Sequence, residues 1–249
     1  MWQKELRINP DSDEGEADED EEEDDEEIIN RVGNRDNWYK KQVEFWSTQE
    51  ASINGVLTGY GDCHPADAET SNNLLDGFKK TIGIQRALDC GAGIGRVTKY
   101  ILESRFEKID LLDPTKELLA KARDFIGSDK VDKIYCTGLQ DFEFEYQYDC
   151  IWVQWVLCYL TDKDIRVFLR KCSQYLRDEN SLLICKENVH DDSFYVDKED
   201  NSVIRSDKLF QEIFEEEGFC IVKHQIQPGF PDNLFTISIY ALKYIKFGK

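Results

Sequence analysis

The stretch Asp89-Cys90-Gly91-Ala92-Gly93-Ile94-Gly95-Arg96 limits what this chain can fold into more than any other. It closes a short apolar run, 86–90, and opens a helical one, 96–104. Glycines at alternate positions let a backbone turn sharply and come close to a ligand. The spacing is G-x-G-x-G, not the G-x-G-x-x-G of dinucleotide binders. Around this turn, strand-like and helix-like segments alternate. Strands are predicted at 108–113, 133–136, 148–157 and 181–185, and helices at 115–126, 161–176 and 206–217. Ser206 is suited to be the N-cap of the last helix. Two strands, 219–225 and 234–242, follow with no helix between them, only Pro228-Gly229 and Pro231-Asp232-Asn233. Such alternation predicts an α/β fold: a doubly wound, seven-stranded, mostly parallel sheet with an antiparallel strand toward one end.

Upstream, Trp38, Tyr39, Phe45 and Trp46 recur at helical intervals. Residues 54–61 then break any helix, and their three glycines around Tyr60 suggest a loop in close contact with something. Residues 66–81 suit a further helix. These segments predict a helical extension on the N-terminal side of the sheet, so that 34–249 forms one domain. Residues 1–33 read as an acidic disordered tail. Of the net charge of −20, the segment 11–27 holds 14 acidic residues and no basic one. Outside it, 37 acids face 31 bases, a net charge of −6. Nucleic acid is therefore not an expected partner, and a basic peptide fits better. No apolar run is long enough for a membrane span and the start lacks a signal layout, so neither membrane nor export is expected. The eight cysteines contain no C-x-x-C pair and read as reduced thiols, and with three histidines no metal site is expected.

The form D-x-G-x-G-x-G resembles the first motif of class I S-adenosylmethionine methyltransferases. That cofactor has a ribose with two hydroxyls and a zwitterionic methionine end. A carboxylate closing the second strand can accept both ribose hydrogen bonds, and Asp113 stands there. Arg96 can pair with the cofactor carboxylate.

The likeness goes further. Residues 87–99, Gly138-Leu139-Gln140-Asp141-Phe142, Tyr148 through Val156, Leu160-Thr161-Asp162 and Gly59-Tyr60-Gly61 together resemble the protein α-N-terminal methyltransferases. The resemblance runs from about Trp38 to Lys243, in order. It implies transfer of methyl groups from S-adenosylmethionine to the free α-amine of proteins whose termini read X-Pro-Lys or X-Pro-Arg after Met removal. It also implies residence in nucleus and cytoplasm. Gly91, Arg96, Asp113, Leu139, Gln140 and Gln154 match cofactor-site positions. Trp46, Trp155, Asn188, Asp197, Asp200 and Ser202 match positions that hold the peptide or sit near its amine.

These residue types suit the chemistry. Asp200 is the expected general base and Asn188 the residue that orients the amine through its carbonyl oxygen. Trp155 can pack on the substrate proline, whose fixed φ suits a rigid aromatic slot. Asp197 can pair with the cation at the third position. Three positions depart from the family pattern. Tyr159 stands where His is usual, Glu187 rather than Asp precedes Asn188, and Phe235 replaces a common Tyr. A phenol is a poor base at neutral pH. Two other readings stay open: a methyltransferase of altered specificity or another substrate class, and a non-catalytic protein of this fold that binds basic partners.

Overall fold

The computed structural model describes residues 35–191 and 193–245. The acidic segment and the boundary near residue 33 lie outside them. The glycine turn does what its position suggests: it links strand β1 (Arg86–Cys90) to the helical turn that follows. Strands β2 (Lys108–Leu112), β3 (Val131–Tyr135), β4 (Cys150–Gln154) and β5 (Leu182–Val189) run parallel to it. Strands β8 (Phe219–Ile226) and β9 (Thr236–Tyr244) complete the sheet. The order is β3-β2-β1-β4-β5-β9-β8, with β9 antiparallel to both of its neighbours. A strand joined to its predecessor by a turn must run backwards, so β9 fills the slot between β5 and the edge strand β8.

Both sheet faces are covered, which explains why the parallel strands read as unbroken apolar runs. Successive residues point to opposite faces. Leu88, Ile151 and Leu183 pack in one core with α5 (Asp162–Tyr175) and α6 (Asp207–Glu216). Ala87, Trp152 and Ile184 pack in the other, with α3 (His64–Phe78) and α4 (Lys116–Ile126). Ser206 caps α6 by accepting from the Leu209 amide at 3.2 Å, as its sequence position suggested, and Thr161 caps α5 by accepting from Asp164 at 3.1 Å. Among the described residues no helix is long and apolar enough to cross a membrane.

Three local expectations need correction. The fourth strand ends at Gln154 rather than at residue 157, because Trp155 takes a positive φ of 52° that no strand can continue. The helix expected over 96–104 is α-helical only at its start. Thr98–Leu102 form a π turn, closed by a bond of 2.8 Å from the Glu103 amide to the Thr98 carbonyl. The stretch 54–61 is not all loop: helix α2 (Ile53–Val56) enters it and a 3₁₀ turn, Gly61–Cys63, follows. The close contact there is made by Gly55, where a Cβ would fall 1.9 Å from the Glu50 carbonyl oxygen. The polar segment around residue 200, which carries no strand signal in the sequence, is the turn of a two-stranded hairpin, β6 (Phe194–Asp197) and β7 (Ser202–Arg205), with Asn201 at φ 56°. Helix α1 (Arg35–Ser47) leans on this hairpin, Trp38 packing against Val203.

Candidate active site

Open α/β sheets offer a crevice where neighbouring strands send their connections to opposite faces. Here that place is the carboxyl ends of β1 and β4, beside β5. A cavity of about 520 Å³ lies there, within the range of small-molecule sites. All twelve residues singled out in the sequence line it.

The floor is the glycine turn. Gly91, Gly93 and Gly95 have φ of 71°, 53° and 79°. A Cβ at Gly91 would sit 2.9 Å from Cβ of Val156, and one at Gly95 would sit 2.4 Å from Cδ1 of Ile126. Glycine is thus required twice, by backbone angle and by space. Asp113 ties the turn to the end of β2. Its Oδ2 accepts from the Gly93 amide at 2.9 Å and its Oδ1 from the Thr115 amide at 2.7 Å. Burial raises its pKa above the ordinary carboxylate range, against those two bonds. Asp89 does not line the cavity. Its Oδ2 accepts from the Thr98 amide at 3.0 Å and the Thr98 hydroxyl at 2.6 Å, anchoring the π turn. Burial pushes its pKa up to about 6.

Arg96 is the only basic residue lining the cavity among the described residues. Its guanidinium donates to Oδ2 of Asp67 at 2.5 Å. Asp67 Oδ1 receives the Gln154 amide at 2.9 Å and the Lys186 ammonium at 2.5 Å. Burial alone would raise Asp67, but the two cations hold it below the usual carboxylate range. Lys186 is fully buried, its pKa brought down to about 8 by burial against the pull of Asp67. Gln154 also accepts from the Trp152 indole at 3.0 Å, so its side chain is bonded on both sides. Leu139 is buried, while Gln140 bonds Asp141 at 3.1 Å and crowds Gly138.

The far end of the cavity is aromatic and acidic. Trp155 has its ring 5.5 Å from the Arg96 guanidinium carbon and 6.4 Å from the Phe230 ring. Its indole N–H is buried with no hydrogen-bond partner among the described residues. Trp46 meets Tyr159 edge-on at 6.3 Å. Asn188 reaches the cavity from β5, and the hairpin turn brings Asp197, Glu199, Asp200 and Ser202. Asp200 accepts from the Ser202 amide at 3.0 Å and from the Tyr159 hydroxyl at 2.9 Å. Burial raises its pKa above the ordinary range, and the donated hydrogen bonds oppose that rise. Three carboxylates with no lining base at this end suit a cation.

The sequence reading missed several contributors. Asp67, Lys186 and Gln227 form a buried network beneath the floor, with the Lys186 ammonium 2.6 Å from Gln227 Oε1. The residues lie far apart in the chain, and nothing local marks them as partners. Tyr39 and Gln42 of α1 line the cavity too. Their helical spacing with Trp38 and Trp46 was the one available signal.

A family described as AdoMet dependent proline di-methyltransferase matches residues 34–243. The alpha N-terminal protein methyltransferase 1 of Dictyostelium discoideum is 40% identical over 217 residues, covering 84% of this chain and 80% of that protein. The N-terminal Xaa-Pro-Lys N-methyltransferase 1 of Xenopus tropicalis is 35% identical over 220 residues, 85% of this chain and 98% of that one. Among solved structures, a Leishmania major SAM-dependent methyltransferase superposes with a TM-score of 0.79 at 40% identity, covering 83% of each chain.

Proposed function

This chain belongs to the AdoMet-dependent proline dimethyltransferases, the protein α-N-terminal methyltransferases, and from that premise we propose how its residues divide the work. It is an S-adenosylmethionine-dependent enzyme that methylates the free α-amine of protein N-termini. The substrates we infer are termini reading X-Pro-Lys or X-Pro-Arg. The observation that carries this reading is the single cavity. The glycine turn packs on Val156, next to Trp155, and the Arg96 guanidinium carbon lies 5.5 Å from the Trp155 ring, so the cofactor-like floor and the peptide-like end adjoin.

The residues fit the cofactor. Gly91 has no Cβ to collide with Val156 and so lets the turn lie close along the cavity floor, and Asp113 and Arg96 offer an acceptor and a cation of the kinds its ribose and carboxylate need. Leu139, Gln140 and Gln154 complete that end. When bound, it supplies an electrophilic methyl group on a sulfonium.

The protein's own groups do the rest. An α-amine has a pKa of about 7.7–8.0, so much of it arrives protonated. Asp200 accepts the proton that the ammonium sheds. The freed nitrogen lone pair is then available to the methyl group that the sulfonium would supply, the bonding pair of which would stay on sulfur. Asn188 holds the amine on line, and such placement supplies much of the acceleration. Trp155 and Trp46 wall the slot for proline. Asp197 faces the third-position cation, and Ser202 fixes Asp200 from behind.

The test uses labelled cofactor with a Gly-Pro-Lys or Ser-Pro-Lys peptide and its N-acetylated copy. Label on the free peptide alone is expected. Label on both would move the reaction to a side chain, and none, despite cofactor binding, would favour a non-catalytic role. Asp200→Asn should lose most turnover and keep cofactor binding; full turnover in that variant would remove Asp200 as the base.

A further inference from the structure

The carboxylate of Asp200 is gripped from two sides. The Ser202 amide donates to Oδ1 at 3.0 Å and the Tyr159 hydroxyl to Oδ2 at 2.9 Å. Tyr159 is itself tightly held. Its carbonyl oxygen accepts from the Trp38 indole at 2.8 Å and the Gln42 amide at 2.9 Å, and its ring stands edge-on to Trp46. It sits on the 3₁₀ turn Leu157–Tyr159, which Glu187 pins to β5 by accepting from the Val156 and Leu157 amides at 2.9 and 2.8 Å. The hydroxyl is therefore placed by the backbone of one element and spent on the side chain of another.

We propose that Tyr159 is a positioning residue for methyl transfer, acting through Asp200: its hydroxyl fixes one carboxylate oxygen so that the remaining lone pairs face the substrate amine. The inference rests on Asp200 being the base. Burial above all, with the negative charge of Asp200 beside it, raises the phenol far above its ordinary pKa. Tyr159 thus stays a donor at every working pH and takes no proton itself. Its bond lowers the proton affinity of Asp200, against burial and the like charge of Asp197. The other titratable groups about Asp200 are few. The hairpin turn brings Glu199 and Lys198, the 3₁₀ turn Cys158, and α1 Tyr39 at the cavity wall and Lys41, whose ammonium reaches the Lys198 carbonyl. Glu187 of β5 acts only through the 3₁₀ turn.

The test is the pH profile of kcat/KM for an X-Pro-Lys peptide in wild type, Tyr159→Phe, Tyr159→His, Asp200→Asn and the Tyr159→Phe/Asp200→Asn pair. Loss of one hydrogen bond to a carboxylate should move the acid limb of Tyr159→Phe up by about one pH unit. It should cut kcat by about tenfold and leave the KM for cofactor unchanged. In the Asp200→Asn background the same change should cost nothing further. Tyr159→His, which restores a ring donor, should recover most of the lost rate above about pH 7. A uniform fall at every pH with the limb unmoved, or an equal cost in the Asp200→Asn background, would overturn the proposal while leaving Asp200 as base. Wild-type turnover in Asp200→Asn would instead sink the base assignment, and this inference with it.

Discussion

At the scale of single residues, the site is built on carboxyl groups kept in place by backbone amides. Asp89, Asp113, Glu187 and Asp200 each accept at least one main-chain N–H. Glu187 shows the cost of this arrangement. It is fully buried, one of its oxygens has no hydrogen-bond partner among the described residues, and burial pushes its pKa up to about 7 from 4.5. Between those values the folded protein holds a proton that the unfolded chain has released. The stability this group contributes is complete below about pH 4.5 and is lost as pH rises toward 7. Thermal melts of wild type and Glu187→Gln across pH 4.5–8 should show it: relative to the variant, the wild-type Tm falls through that window. Parallel curves would mean that Glu187 keeps an ordinary proton affinity. At this scale the membership of the site was open to reading from the sequence, since residue type and motif position pick out groups that the fold brings into one cavity. The network of Asp67 and Lys186 was not. The two stand 119 positions apart, and neither shows a pattern until α3 is laid against β5.

Helices and strands were legible where hydrophobic period was strong, and less so where a backbone angle decided the outcome. Burial pattern and caps placed β1, β2, α4, α5 and α6 within a few residues. Nothing in the composition of 148–157 says that Trp155 turns left-handed and stops β4 early. The hairpin β6–β7 was also hidden, because its turn is polar and its strands are four residues each. Helix α1 shows how an element with little apolar surface can still be fixed. Only Trp38 and Gln42 of it are buried. The Gln42 amide donates to the Tyr159 carbonyl at 2.9 Å and the Asn201 carbonyl at 3.0 Å, joining α1 to the 3₁₀ turn and the hairpin turn at the aromatic, acidic end of the cavity. Gln42→Ala should therefore raise the peptide KM on the order of tenfold, at about 1 kcal/mol per lost bond, and leave cofactor affinity unchanged. Steady-state kinetics with calorimetric cofactor titration would separate the two. An unchanged peptide KM would mean that the other contacts of α1, the Trp38 indole bond to the Tyr159 carbonyl among them, hold it in place without Gln42.

For the whole molecule, connectivity explains where the site must be. With β1 central and its neighbours β2 and β4 reached in opposite directions, the crevice opens at the carboxyl end of that pair, where the glycine turn already lies. Alternation of strands and helices is sufficient to foresee this, because right-handed crossovers leave few other arrangements. A ligand seated there meets Gln154 of β4 and the turns after β1 and β2, at Gly91 and Asp113, so its binding should tighten the sheet at these strand ends. S-adenosylhomocysteine at a hundred times its Kd should add about 2.7 kcal/mol of stability, a rise in Tm of roughly 5–10 °C for a chain of this size. Differential scanning fluorimetry would measure it, and Asp113→Ala should abolish the rise. A variant that kept the full rise would remove Asp113 from the ligand contacts.

Trp155 carries a consequence beyond the reaction. Its left-handed backbone suits a bulky aromatic badly, at a cost of order 1–3 kcal/mol. The same twist sets an indole in the wall of the slot, its N–H buried and without a partner among the described residues. A glycine or asparagine would sit there with less complaint. Directed evolution toward heat tolerance alone would thus be drawn to position 155, and would end with a sturdier, idle protein.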